Sequence, residues 1–139
     1  HGPHVTIEEI TPFTHGMAQM FRSMPHRLPA AARRLRRLPA QLAAFHRTHD
    51  LLLSPTISSL PPELGHMSTA LDYQTLLDRM VPWIAFTPLA NAAGTPAINL
   101  PMGFDDATNL PVGVMLGADA GEDALLLEVA LELEAARAS

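Results

Sequence analysis

His46 and His49 stand three residues apart, Asp50 follows directly, and Ser54 lies four further on. On a helix, that spacing puts both imidazoles on one face, and the neighbouring carboxylate suggests a zinc site. No third ligand is in view, and histidines near a helix C-terminus have an ordinary role, because partial positive charge suits the helix dipole. Ser54, His49 and Asp50 are the residue types of a serine-hydrolase triad. A strand over Leu51–Leu53 would spread them along one segment, where they cannot converge. Asp105 and Asp106 offer a hard cation two carboxylates and nothing more, so a surface loop is the better reading. Neither a metal nor a cofactor is expected. The chain also contains no lysine and no cysteine. Thiolate catalysis and cysteine-built zinc sites are therefore excluded, and no amine side chain is present to take a serine proton.

The composition bounds the rest. The 139 residues suffice for one domain with a core, and 47% of them are hydrophobic, which argues against disorder. No apolar run approaches the roughly 18 residues of a membrane span, so no membrane partner is expected. The absence of cysteine fits a reducing compartment, and a cytoplasmic location is expected. The chain starts at His1 rather than methionine, so a lost upstream segment or a fragment is expected.

Charge is unevenly spread. Arg22, Arg27, Arg33, Arg34, Arg36, Arg37 and Arg47 crowd an acid-free window, while every acid except Glu8 and Glu9 lies from Asp50 onward. The net charge of −5 argues against a nucleic-acid binder. The RRLRR run reads as a solvated helix face, with docking onto an acidic C-terminal helix as a further option.

These residues must be positioned by elements. Residues 1–16 read as an extended or loop entry and a turn, with Thr6 and Glu9 placed as a capping box. Residues 17–28 carry Met17, Met20, Phe21, Met24 and Leu28 at helical spacing, punctuated by Pro25 and Pro29. Residues 30–48 are mostly helix formers, with Leu35, Leu38, Leu42 and Phe45 as one stripe and a kink or break at Pro39. The short apolar run Leu51–Leu53, closed by Pro55, predicts a strand buried on both faces. Residues 57–65 are loop. Ser68 or Thr69 caps a helix over 70–80 that ends at Pro82, with Leu76, Leu77 and Met80 facing inward. Thr87 and Pro88 start a short helix over 88–93, and Gly94 stops it. Strands over 97–101 and 110–116 make an antiparallel hairpin around GFDDATN. Asp119 and Glu122 cap a last helix over 120–137, which buries Leu125, Leu126, Val129, Ala130 and Leu133.

The result is an α/β fold with a mixed sheet and covering helices. The whole of 1–139 is one segment, helical and Arg-rich over 1–48, sheet-forming with a C-terminal helix over 49–139. Three strands of near-continuous apolar character make a thin sheet, so it is expected to continue into strands outside this chain.

Four stretches in order, Asp50–Thr56, Phe86–Gly103, Leu110–Gly117 and Gly121–Glu134, resemble the C-terminal part of the amidase signature family. The wording FTPLANAAGTPAINLP looks most like its 6-aminohexanoate cyclic dimer hydrolase-like bacterial branch. The resemblance covers about residues 44–137 well and the Arg-rich part weakly. It implies an incomplete part of a larger fold that hydrolyses a carboxamide C–N bond with a serine nucleophile, a second serine and a lysine. The chain departs from that pattern: it has no lysine and no Gly/Ser-rich segment. The resemblance thus implies that no catalytic residue lies here, that the isolated chain is inactive, and that its partner is a missing N-terminal catalytic portion.

In the family, the segment at Thr87 borders the acyl pocket, against the plainer reading of Thr87 as an N-cap. Relatives that act on glutamine carry an acid where this chain has Ile84, so the resemblance implies a neutral or apolar small amide substrate. Trp83 and Phe86 could line the same pocket or be ordinary core aromatics. Asn91 is expected to tie down neighbouring backbone. Gly94 and Pro96 are residues of backbone geometry. A non-catalytic binding or scaffold domain and a basic-helix interaction module stand as alternatives, and the sequence leaves a homodimer open. An amidase segment predicts an exposed sheet edge, a self-standing domain predicts shielded ones.

Overall fold

The computed structural model of the chain describes residues 10–138. The element order matches expectation: α1 (Pro12–Ser23), a 3-10 turn (Pro25–Arg27), α2 (Leu28–Leu35), α3 (Leu38–His46), β1 (Leu52–Pro55), α4 (Tyr73–Trp83), α5 (Pro88–Ala93), β2 (Ala97–Phe104), β3 (Pro111–Gly117) and α6 (Asp123–Ala138). The Thr6–Glu9 capping box lies outside the described residues.

Several boundaries move for local reasons. Residues 12–16 are helical rather than a turn. Thr11 adopts an extended backbone and its Oγ1 accepts from Thr14 N at 3.3 Å, with Pro12 at the first helical position. Leu28 opens α2 instead of closing the preceding helix. The break expected at Pro39 falls at Arg36 and Arg37, and Pro39 sits in the first turn of α3, where its missing N–H costs nothing. Asp72, not Ser68 or Thr69, caps α4, accepting from Thr75 N at 3.0 Å. Ser68 closes only the turn before it. Helix α6 starts at Asp123. Asp119 lies too early to cap it; its carboxylate accepts from Ala120 N and its carbonyl from Glu122 N.

Gly94 ends α5 at φ +70°, the left-handed conformation that side chains resist. Strands β2 and β3 form the expected hairpin, with an irregularity between Pro101 and Gly103. Asp105 accepts from Thr108 N and Oγ1 at its tip, bonds that hold its carboxyl below the usual range.

The three strands run in the order β1-β3-β2, both pairings antiparallel. Register sorts the faces. Leu53, Leu116 and Ile98 share one level of one face; Ser54, Met115 and Asn99 share a level of the other. Helix α6 lies along β2 and closes the first face. Leu126 and Ala130 join Leu100, Leu116 and Ala118 in the buried core, and Val129 and Leu133 pack beside them.

Strand β1 is not buried on both faces. Its burial alternates, and Leu53 is 65% exposed. The cause is position: α6 packs on β2, and β1 lies at the far side of the sheet from it. Among the described residues, no strand lies beyond β1 or β2, so both outer edges are open. All seven clustered arginines are exposed. They are spread over α1, the 3-10 turn, α2 and the turns flanking α3 rather than docked on α6.

Candidate functional site

The sheet face away from α6 carries the chain's concavities. It is built from small and short residues, among them Ser54, Ala97, Gly113 and Gly117, so it cannot fill itself. Helices α3 and α5 pack together at its border. A cavity of about 330 Å³ opens there, lined by Leu42 and His46 from α3, Phe86, Leu89 and Ala90 around α5, and Ser54 and Met115 of the sheet. The volume falls within the roughly 300–1,000 Å³ of small-molecule pockets. The Ser54 hydroxyl is buried and has no hydrogen-bond partner among the described residues, as is also true of Trp83 Nε1. Buried polar atoms are normally paired, so both are unfinished contacts.

A second cavity, about 400 Å³, lies on the same face toward the C-terminal end of β1. Its walls include Thr56, Ile57, Leu60, Asn99, Pro101 and Gly113. Thr56 Oγ1 donates to Asn99 Oδ1 across the central strand. Gly113 lies beneath the pair. A Cβ there would stand 2.7 Å from Asn99 Oδ1 and 3.2 Å from Thr56 Oγ1, so only glycine leaves the pair its place.

The loop after β1 is tied to the end of α4. Ser58 N donates to Trp83 O at 3.1 Å and Ser58 Oγ to Pro82 O at 2.6 Å. These are carbonyls that the last helical turn leaves unpaired. The tie holds the Trp83–Thr87 segment against the sheet.

The expected pocket residues take the following places. Phe86 lines the 330 Å³ cavity. Trp83, Ile84 and Thr87 are half-buried beside it in the chain. Thr87 does not cap α5: its backbone is helical and its hydroxyl turns back to Ile84 O at 3.4 Å, a weak bond. Asn91 is exposed, and its side chain makes no hydrogen bond among the described residues, so the backbone tie expected of it is not made within this chain. Pro96 precedes β2, and its carbonyl accepts from Ala118 N at 3.2 Å.

The histidine pair is a helix-end arrangement. The His49 ring stacks on Phe45 at 4.4 Å, and His46 Nδ1 donates to His49 O at 3.0 Å. Among the described residues, no group of three His, Cys, Asp or Glu side chains could hold a metal ion. His46 and Ser54 line one cavity, yet no carboxylate lines it with them, so no triad assembles. Sequence reading missed Asn99 and Thr56. Their only signal was the strand period, which puts Asn99 on the face opposite Leu100.

Comparison with known proteins gives a consistent picture. A family described as Amidase matches residues 4–127. A protein named "Putative amidase AmiC" from Mycobacterium tuberculosis (strain ATCC 25618 / H37Rv) is 48% identical over 124 residues, covering 89% of this chain and 26% of that protein. A 6-aminohexanoate-cyclic-dimer hydrolase of Pseudomonas sp. (strain NK87) is 37% identical over 93 residues, 63% of this chain and 19% of that one. A solved structure of 6-aminohexanoate cyclic dimer hydrolase superposes with a TM-score of 0.81 at 28% identity, over 97% of this chain and 29% of that chain. The chain thus spans about a quarter of the length of the curated relatives it matches. No helix among the described residues is long and apolar enough to cross a membrane.

Proposed function

The chain belongs to the amidase family, and from that premise we propose that it is the C-terminal portion of an enzyme that hydrolyses a carboxamide C–N bond. The nucleophilic serine, the second serine and the lysine base belong to polypeptide outside these 139 residues, because no lysine is present in them. This portion supplies part of the central sheet and one wall of the substrate pocket. Alone it turns nothing over, and its partner is the catalytic portion of the same protein.

The observation that carries the reading is the asymmetry of the sheet. One face is packed by α6 over β2 and β3. The other presents cavities walled by small residues, an unpartnered Ser54 hydroxyl and two open strand edges. Such a face and such edges ask for further polypeptide. The close superposition on 29% of the length of a larger hydrolase supports the same conclusion.

Phe86, Trp83, Ile84 and Thr87 form the pocket wall. With Ile84 rather than an acid at that wall, the substrate is a small neutral or apolar amide. Comparing hexanamide with an amide that carries an ammonium group tests this, using the full amidase polypeptide. Ile84→Asp is expected to shift kcat/KM toward the ammonium substrate through KM. An unchanged preference would remove Ile84 from the wall.

A further inference from the structure

The Thr56–Asn99 contact fixes which way a carboxamide points. Thr56 Oγ1 gives its proton to Asn99 Oδ1, so the oxygen end of the amide faces the threonine. The Nδ2 end then turns away with two N–H donors. Asn99 makes no other side-chain hydrogen bond among the described residues, and it lines the cavity of about 400 Å³. The surrounding wall is chiefly apolar, with Ile57, Leu60, Pro101 and Val112 among its members. Of the other hydroxyls of the wall, Ser58 Oγ donates to Pro82 O at 2.6 Å and Ser59 Oγ makes a weak bond to Leu60 O at 3.4 Å. A mainly apolar cavity with one oriented donor pair has the makeup of a small-molecule site.

We propose that this cavity binds a neutral molecule with an apolar body and a carbonyl oxygen, which accepts a hydrogen bond from Asn99 Nδ2. Thr56 is a positioning residue: by donating to Oδ1 it stops the carboxamide from rotating and presenting its acceptor instead. Gly113 is the third part of the device, since any Cβ there would push the carboxamide out of place. The site favours a carbonyl compound over an ammonium compound of the same length, because the Asn99 Nδ2 donors repel an ammonium and no carboxylate among the described residues lines the cavity to pair with its charge.

The test is a titration of the intact protein, labelled with 15N, in which the side-chain amide signals of Asn99 are followed. The probes are 2-heptanone and heptylammonium. A saturable shift of the Asn99 signals with 2-heptanone and none with heptylammonium is expected. Asn99→Asp keeps the shape and still accepts from Thr56, but replaces the donors with a charged acceptor. It should weaken 2-heptanone by about tenfold, the worth of one good hydrogen bond, and bind heptylammonium in its place. The absence of a saturable shift in the unaltered protein overturns the proposal, whether the donors are already taken by other polypeptide or the cavity stays empty. Equal binding of 2-heptanone by Asn99→Asp overturns it too. The unaltered protein decides alone, so nothing hangs on how the variant folds. The readout is binding without turnover, so its failure and a failure of the amidase reading stay distinguishable.

Discussion

Thr56 and Asn99 meet directly over Gly113, the threonine hydroxyl donating to the carboxamide oxygen from the far side of the central strand. The contact joins the residue just after β1 to β2 although the two strands are not neighbours. Gly113→Ala should therefore lower stability by about 1–3 kcal/mol, the usual cost of overpacking. Urea unfolding would show a lower midpoint at an unchanged slope. Most of the loss should vanish in an Asn99→Ala background, where the nearest obstructing atom is gone. Undiminished loss there would place the clash on Thr56 Oγ1 and the Leu100 carbonyl, 3.2 and 3.3 Å from the same Cβ.

Leu126 and Leu127 are adjacent on α6 but differ in surroundings: Leu126 is 3% exposed and Leu127 58%. Leu126→Ala should cost about 2–5 kcal/mol by leaving a hole under the sheet. Leu127→Ala should stay within about 0.5 kcal/mol in this chain. A large loss at Leu127 would mean that this side of α6 is covered.

Asp72 caps α4 through hydrogen bonds from Thr75, which lower its carboxyl below the ordinary value of 3.8. A lowered folded value means that the cap's contribution is complete above pH 3.8 and is lost as pH falls through the folded value. Helix content followed by circular dichroism should therefore drop with acid below that point. The Asp72→Ala variant should lack this part of the drop. An identical acid profile for both proteins would remove Asp72 from the account.

Thr87 makes only a weak bond to Ile84 O, so its hydroxyl has little structural work. Thr87→Ala should change stability by no more than about 0.5 kcal/mol. In the pocket wall proposed above, the same change should nonetheless raise KM for a neutral amide in the full amidase polypeptide. A large stability loss with unchanged KM would reverse the two roles.

Much of this architecture could be read from residue order. Thr87–Pro88 and Gly94 bracket α5 through backbone constraints that act locally. The face of α6 that buries Leu126 and Ala130 follows from helical spacing. The hairpin follows from turn residues between two apolar runs. What escaped reading depends on neighbours distant in sequence. Leu53 is exposed because α6 packs on β2, on the other side of the central strand, which no property of Leu51–Leu53 encodes. Thr87 is the local exception: it looks like a cap by residue type, but its backbone is helical and its hydroxyl turns to Ile84 O three residues back. Thr56 and Asn99 come together only once β3 lies between their strands. Phe86 was singled out through family resemblance and lines the 330 Å³ cavity, while Ser54 and His46 were recognised as polar groups without the shared cavity that unites them.

The central claim is that bond cleavage needs atoms from beyond these residues, and turnover by the purified 139-residue chain tests it most directly. Ammonia release from hexanamide would be measured for this chain alone and for the full amidase polypeptide under the same conditions. The account predicts background rates for the chain alone and saturable hydrolysis for the full polypeptide. Saturable hydrolysis by the chain alone, abolished in Ser54→Ala, would contradict it and place a nucleophile in the cavity beside His46.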